Sequence, residues 1–156
     1  MSSNHNDERL ASLLFAFIGI GYLFPFSALT QPVDYWSLLF PNFDIDFPIT
    51  AIYMWVNLII LGLLVFVFVE IPNTKMYSIR IYGGFIGQFI ALTIVPTSYF
   101  LHLSEYLNAI IVLSCTAFAA GVTAYIDSCA ISLSSQYPTS CQESLQLGIG
   151  KLKLCT

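Results

Sequence analysis

The residues of this chain with the most chemical potential lie at the end of a long apolar stretch, where residues 124–138 read AYIDSCAISLSSQYP. Asp127 is the one acidic residue in this segment, among several hydroxyl and thiol side chains. On a helix, the small and polar residues of this region form two adjacent stripes, namely Thr123, Asp127 and Ser134, and Gly121, Ser128, Ser132 and Ser135. Isolating a carboxylate in hydrocarbon costs at least about 2.5–3.5 kcal/mol. The polar sector is therefore predicted to face a bundle interior or water, either as a substrate pathway or as a hydrogen-bonded packing seam.

No catalytic motif accompanies Asp127. The sequence contains no G-x-S-x-G, H-E-x-x-H, P-loop or dinucleotide-binding pattern, and no second carboxylate lies at helical spacing from Asp127. The two histidines, His5 and His102, are far apart, and the four cysteines lack the close spacing of a metal site. The sequence therefore predicts no catalytic residue, no metal site and no cofactor, and the chain is not expected to be an enzyme.

The composition is that of a membrane protein. Apolar residues make up 57% of the 156 residues and charged residues 9%, whereas soluble domains carry roughly 25% charged residues. The mean hydropathy is +0.79. A net charge of −4, with no basic patch, argues against nucleic acid as a partner. Most of the chain is therefore expected to have the lipid bilayer as its solvent.

Four apolar segments define the elements that must position Asp127. A spanning helix needs about 20 predominantly apolar residues, and the segments that meet this requirement are about 10–30, 49–69, 79–101 and 106–136. The first run exceeds the roughly 7–15 residues of a signal-peptide core, so we expect it to remain in the protein. Short connections favour an antiparallel bundle over residues 10–136, an all-α membrane fold. Residues 1–9 are predicted to form a disordered head and residues 137–156 a tail.

The placement of charge predicts the orientation, because cytoplasmic loops carry an excess of Lys and Arg. The connection 31–48 contains three aspartates and no basic residue, and the five basic residues lie elsewhere, at Arg9, Lys75, Arg80, Lys151 and Lys153. Both termini and the connection 70–80 are therefore predicted to be cytoplasmic. The aromatic residues near the acidic side are predicted to form an interfacial belt of Tyr35, Trp36, Tyr53 and Trp55.

Two other spans contain residues that could shape a cavity or a packing face. The first span contains GIGYLFPFS at residues 19–27, and Pro25 is expected to bend it, although Gly and Pro are also simply frequent in membrane helices. In the third span, Gly83 and Gly87 form a small-xxx-small pair that is typical of helix packing. Arg80 precedes this pair, either as a plain cytoplasmic anchor or with a functional role.

In their order along the chain, these features resemble the equilibrative nucleoside transporter family. GIGYLFPFS is similar to the family's helix 1 pattern Gly-x-Gly-x-x-x-Pro-Trp-Asn, with Phe26 and Ser27 in place of Trp-Asn. In the family, an Ile-Pro pair follows helix 2 and an arginine opens helix 3. Here Ile71, Pro72 and Arg80 resemble that arrangement, in a connection that is a few residues longer.

The fourth span extends the resemblance. The family's helix 4 carries a glutamine-led face of small residues, followed by a proline and a Ser-Gly-Gln-Gly sequence. Counted back from Pro138, Asp127 occupies the position of that glutamine. Counted forward, Gly148 and Gly150 occupy the positions of the two glycines. The resemblance therefore covers nearly the whole chain, from about residue 10 to residue 150.

The resemblance implies the N-terminal part of a major-facilitator-like bundle of eleven helices, in which a nucleoside or nucleobase binds between two helical halves. Leu23, Phe26, Met54 and Asp127 would then line the N-terminal half of the substrate pocket. Phe26 would stack on a nucleobase, and Asp127 would accept hydrogen bonds from its N–H groups. Arg80 would lie near the cytoplasmic gate.

The family continues into helix 5 where this chain becomes basic, at KLKLCT. The sequence is therefore interpreted as a truncated N-terminal portion of a nucleoside transporter, inactive alone unless partner helices or an oligomer complete the bundle. The alternative is a small tetraspan membrane protein that acts through helix–helix interaction or regulation. Ion conduction by an oligomer through Asp127 is a more distant possibility. A multi-pass protein of the plasma membrane is expected, rather than of an internal membrane.

Overall fold

The computed structural model describes residues 5–67, 74–100, 104–134 and 141–147. The helices follow the order α1 (His5–Thr30), α2 (Val33–Leu39), α3 (Asp46–Val67), α4 (Thr74–Phe100) and α5 (Glu105–Ser134). Residues 141–147 are also helical, and the described residues contain no strand. Four helices, α1, α3, α4 and α5, are long and apolar enough to cross a membrane. The predicted all-α fold with four spanning helices is confirmed.

The helix boundaries differ from the predicted ones at a few places. α1 begins at His5, inside the segment predicted to be a disordered head, and residues 1–4 of that head lie outside the described residues. The acidic connection contains a helix that was not predicted, α2, which covers only 7 residues. Two turns of helix are too short to produce a clear hydrophobic period, so composition did not indicate α2.

α5 is the central helix of the bundle. It packs against α4, α3 and α1, and 44% of its span is buried, against 11–24% for the other three spans. Small side chains make this packing close, because four alanines of α5 are fully buried, at Ala119, Ala120, Ala124 and Ala130. Glycine acts in the same way: a Cβ on Gly121 would lie 2.8 Å from Ile60 Cδ1 of α3. Asp127 therefore lies on the helix that the other three spanning helices contact.

The aromatic residues near α2 divide into two groups. Trp55 is 65% exposed and Tyr35 is 37% exposed, as an interfacial belt requires. Trp36 and Tyr53 are buried instead. The indole Nε1 of Trp36 donates a hydrogen bond of 2.9 Å to the carbonyl oxygen of Leu29, which fastens α2 to the end of α1. The prediction of an aromatic belt is therefore wrong for Trp36 and Tyr53, whose polar atoms bind inside the protein.

The segment 141–147 packs against the end of the bundle where α5 finishes. Cys141 and Leu145 are buried there, in a cluster with Phe15 of α1 and Ala130 of α5. This part of the predicted tail is therefore helical and in contact with two of the spanning helices.

Candidate functional site

Asp127 is partly buried on α5. Within the described ranges, its carboxylate makes no hydrogen bond and no ion pair. The residue one turn earlier on the same face is Thr123, about 6 Å away along the helix axis. The carboxylate is therefore a polar group whose partner must come from water, a solute or another part of the protein.

The hydroxyl groups around Asp127 are satisfied by their own helix. Hydroxyl-to-carbonyl hydrogen bonds within α5 join Thr116 to Val112 (2.8 Å), Thr123 to Ala119 (2.8 Å), Ser128 to Tyr125 (2.9 Å) and Ser134 to Ile131 (2.9 Å). Thr123 and Ser134 face the interior, as predicted for their stripe, whereas Ser132 of the neighbouring stripe is exposed. Ser135 lies outside the described residues. The stripe therefore serves partly as a packing seam, and Asp127 is the member left for another partner.

The hydroxyl of Thr123 joins three spanning helices. The hydroxyl oxygens of Tyr53 and Thr123 lie 2.8 Å apart, and Gln88 Nε2 donates to Thr123 Oγ1 at 3.1 Å. Because the single proton of Thr123 is directed to the carbonyl of Ala119, Tyr53 must be the donor of the first bond. The three side chains are 2–3% exposed. One buried oxygen thus connects α3, α4 and α5, and we call Tyr53, Gln88 and Thr123 the interhelical triad.

The interhelical triad gives a prediction about stability. Replacing Thr123 with valine keeps the shape but leaves the Tyr53 hydroxyl and the Gln88 amide without their acceptor. We expect the free energy of unfolding to fall by about 1–2 kcal/mol, the upper range for polar contacts between membrane helices. Thr116→Val is the matched control, because the Thr116 hydroxyl is equally buried but bonds to its own helix. Unfolding in mixed detergent micelles measures both, and equal losses for the two variants would contradict the role of the triad.

Phe26 connects α1 to the interhelical triad. Its ring centroid lies 5.0 Å from that of Tyr53, with the two planes at 55°. Phe26 and Leu23 are both partly buried, and α1 remains helical through Pro25, which is buried. Two of the predicted binding residues therefore lie on the surface of α1 where it meets the interior, about one helical turn apart.

Met54, predicted to line the pocket, and Arg80, predicted to lie near the gate, are located elsewhere. Met54 is 58% exposed, since its neighbour Tyr53 occupies the inward position on α3. The Arg80 guanidinium lies 5.4 Å from the ring centroid of Tyr125. Tyr125 and Asp127 are two residues apart and therefore point about 200° apart around α5. The structure thus places Arg80 and Asp127 on opposite sides of the central helix.

Sequence reasoning did not identify the interhelical triad, and it gave no role to Asn57, which is partly buried. The Asn57 Oδ1 atom is buried without a hydrogen-bond partner in the part of the chain that the structure describes, one turn beyond Tyr53 on α3. A signal was present, because each of these polar residues interrupts an otherwise apolar span. What the sequence could not show is which helices are neighbours and how each is rotated.

The sequence of this chain is similar to those of two curated transporters. The chain is 34% identical over 88 residues to Equilibrative nucleotide transporter 1 of Arabidopsis thaliana, a match that covers 56% of this chain and 19% of the relative. It is 33% identical over 89 residues to Equilibrative nucleotide transporter 8 of the same plant, which covers 56% of this chain and 22% of that relative. No family model matches the chain. No solved structure matches it either.

The chain spans about a fifth of the length of the curated relatives it matches. Both names denote transport rather than catalysis, in line with the prediction that the chain is not an enzyme. Two relatives named as equilibrative transporters thus confirm, over somewhat more than half of this chain, its resemblance to the equilibrative nucleoside transporter family.

Proposed function

We propose that this chain provides one wall of a pathway that carries nucleosides or nucleobases across a membrane. The wall is formed by the inward surfaces of α1, α3 and α5. The observation that carries the proposal is the partly buried carboxylate of Asp127, which has no partner among the described residues. It lies on the central helix of a chain that is similar in sequence to two transporters. Polar and ionisable residues within membrane spans commonly mark a solute or ion pathway.

The proposed roles follow from the chemistry of each side chain. Asp127 accepts hydrogen bonds from the N–H groups of the base, and Phe26 offers an aromatic face for stacking, flanked by the aliphatic Leu23. The exposed side chain of Met54 is available to a solute or to a second wall. We assign Arg80, which lies near the N-terminal end of α4, to the gate region. It lies on the opposite side of α5 from Asp127.

We also propose that further membrane helices, from the same or another chain, supply the opposite wall. Alternating access requires two bodies that move against each other around a central site. The curated relatives are about five times as long as the segment they share with this chain. The 156 residues are therefore expected to show no uptake when expressed alone.

A chimaera tests this function. Residues 1–156 of this chain replace the part of Equilibrative nucleotide transporter 1 that contains the matched segment, and the chimaera is expressed in cells that lack nucleoside transport. We expect uptake of labelled adenosine above background from the chimaera, and background uptake from the 156-residue chain. The unmodified relative and surface biotinylation control for activity and for arrival in the membrane. A chimaera that reaches the surface without any uptake, beside an active relative, would contradict the proposal and favour a tetraspan protein that acts through helix interactions.

Sidedness is a separate proposal. We propose that both termini lie in the cytoplasm, because Arg9 lies near the start of α1, Lys75 and Arg80 lie near the start of α4, and Lys151 and Lys153 lie near the C-terminus. We also propose that the protein resides in the plasma membrane. Epitope tags at the termini should bind antibody only after cells are permeabilised, whereas a tag within residues 31–48 should bind on intact cells. Staining of a terminal tag on intact cells would reverse the orientation.

A further inference from the structure

A groove lies on the side of α5 that faces away from Asp127, and Arg80 is the one of its lining residues to which the proposed pathway gives a role. Residues of α3, α4 and α5 enclose a volume of about 550 Å³ that is open along one side. The lining is almost entirely apolar and includes Ile60, Arg80, Gly83, Gly87, Phe118 and Tyr125.

The groove is open because Gly83 lacks a side chain. A Cβ placed on Gly83 would meet no heavy atom within 4 Å, whereas one on Gly87 would lie 3.2 Å from Val122 Cγ2. Gly83 is exposed, so the space beside it opens onto the surroundings of the bundle. A gap of this size would forfeit dispersion contacts if it were empty in a bilayer, so a flexible apolar chain is expected to fill it.

The groove has one charged end. Arg80 precedes Gly83 and Gly87 by three and seven residues, so the three positions lie on one face of α4. The Arg80 guanidinium lies 5.4 Å from the ring centroid of Tyr125, a contact that directs it to this side of α5. Arg80 is also only about 9 Å along the axis from the start of α4, close to where a spanning helix leaves the hydrocarbon. The groove therefore has a cation at the membrane interface, and its apolar part continues from there towards the centre of the membrane.

We propose that this groove binds one anionic phospholipid, with its phosphate at Arg80 and an acyl chain along Gly83. Guanidinium groups bind phosphate through charge-assisted and often bidentate hydrogen bonds. In the proposed orientation, the site opens to the cytoplasmic leaflet, where anionic lipids concentrate. The positive charge of Arg80 favours a lipid over a partner helix, because a helix packed against Gly83 would not require a cation at the end of the groove. This inference does not depend on transport.

Native mass spectrometry of the purified chain tests the site, with phosphatidylglycerol and phosphatidylcholine of identical acyl chains as probes. We expect phosphatidylglycerol to bind the unmodified chain about fivefold more tightly, the preference that one arginine near the membrane surface confers. Arg80→Gln should remove this preference. Gly83→Leu should weaken the binding of both lipids, because leucine fills the open trough. Gly62→Leu is the matched control, since a Cβ there also meets no heavy atom within 4 Å but Gly62 lies outside the groove.

Two results would overturn the proposal. The first is equal binding of the two lipids to the unmodified chain, a comparison that requires no variant to fold. The second is normal phosphatidylglycerol binding by the Gly83→Leu chain, together with loss of a dimer that chemical cross-linking traps in the unmodified chain. That result would assign the groove to a partner helix.

Discussion

Replacing Gly84 with leucine is expected to prevent α4 from packing against α5. A Cβ at this position would collide with the side chain of Ile126, which is fully buried and has no free space to enter. Overpacking a close contact typically costs about 1–3 kcal/mol and occasionally more, and here a whole side chain lacks room. We therefore expect the free energy of unfolding to fall by about 3 kcal/mol or more, with little folded protein recovered from membranes.

The neighbouring glycine is the control for this prediction. Gly83→Leu places the same side chain one residue away, where the structure offers open space. Because leucine also has the higher helix propensity, by up to about 1 kcal/mol, this variant should be as stable as the unmodified chain or slightly more stable. Unfolding in mixed micelles compares the two. If both variants lost stability equally, the contact between Gly84 and Ile126 could not be the reason.

Replacing Asp127 with alanine is expected to have the largest effect on transport. In the active chimaera, the carboxylate would accept hydrogen bonds from the solute within a largely apolar surrounding, where hydrogen bonds to a charged group contribute about 1.5–3 kcal/mol. We expect adenosine uptake at low concentration to fall at least about tenfold. Asp127→Asn keeps one acceptor oxygen and should retain intermediate uptake.

Ser128→Ala provides the matched control for Asp127. Ser128 is the next residue of α5 and is also partly buried, but its hydroxyl is bonded to the carbonyl of Tyr125. Its removal should leave uptake nearly unchanged. Surface levels of all variants are measured together. Undiminished uptake by Asp127→Ala at normal surface level would remove Asp127 from the pathway.

The fold was largely predictable because hydrocarbon imposes one strong requirement on the chain. A span must satisfy its own backbone hydrogen bonds, so each long apolar run became a helix. The exceptions are short or polar elements. α2 is too short to show a hydrophobic period. The polar start of α1 was predicted to belong to a disordered head because this helix extends beyond the apolar run. Trp36 and Tyr53 were misassigned because a composition cannot distinguish an aromatic residue at the lipid interface from one that is hydrogen-bonded inside.

The candidate site was predictable only in part. The carboxylate of Asp127 was visible as an irregularity in an apolar span, whereas the role of Phe26 was implied only by the family resemblance. The interhelical triad was not visible, because it depends on the order and rotation of α3, α4 and α5. In soluble helices an apolar stripe reveals the buried face, but these spans are apolar on most sides, and this signal is weak. The open trough at Gly83 likewise depends on the relative position of three helices.

The central claim is that the Asp127 side of α5 faces the transported solute. A direct measurement uses the chimaera with Cys115, Cys129, Cys141 and Cys155 replaced by alanine, and one new cysteine on either face of α5. Ile131→Cys lies one turn beyond Asp127 and is exposed, and Tyr125→Cys lies on the groove side. We predict that adenosine at twice its dissociation constant or more slows the reaction of Ile131→Cys with a water-soluble thiol reagent by at least about threefold, because at most about a third of the sites is then unoccupied, and leaves Tyr125→Cys unchanged. Protection at Tyr125→Cys alone, or at neither position, would contradict the claim.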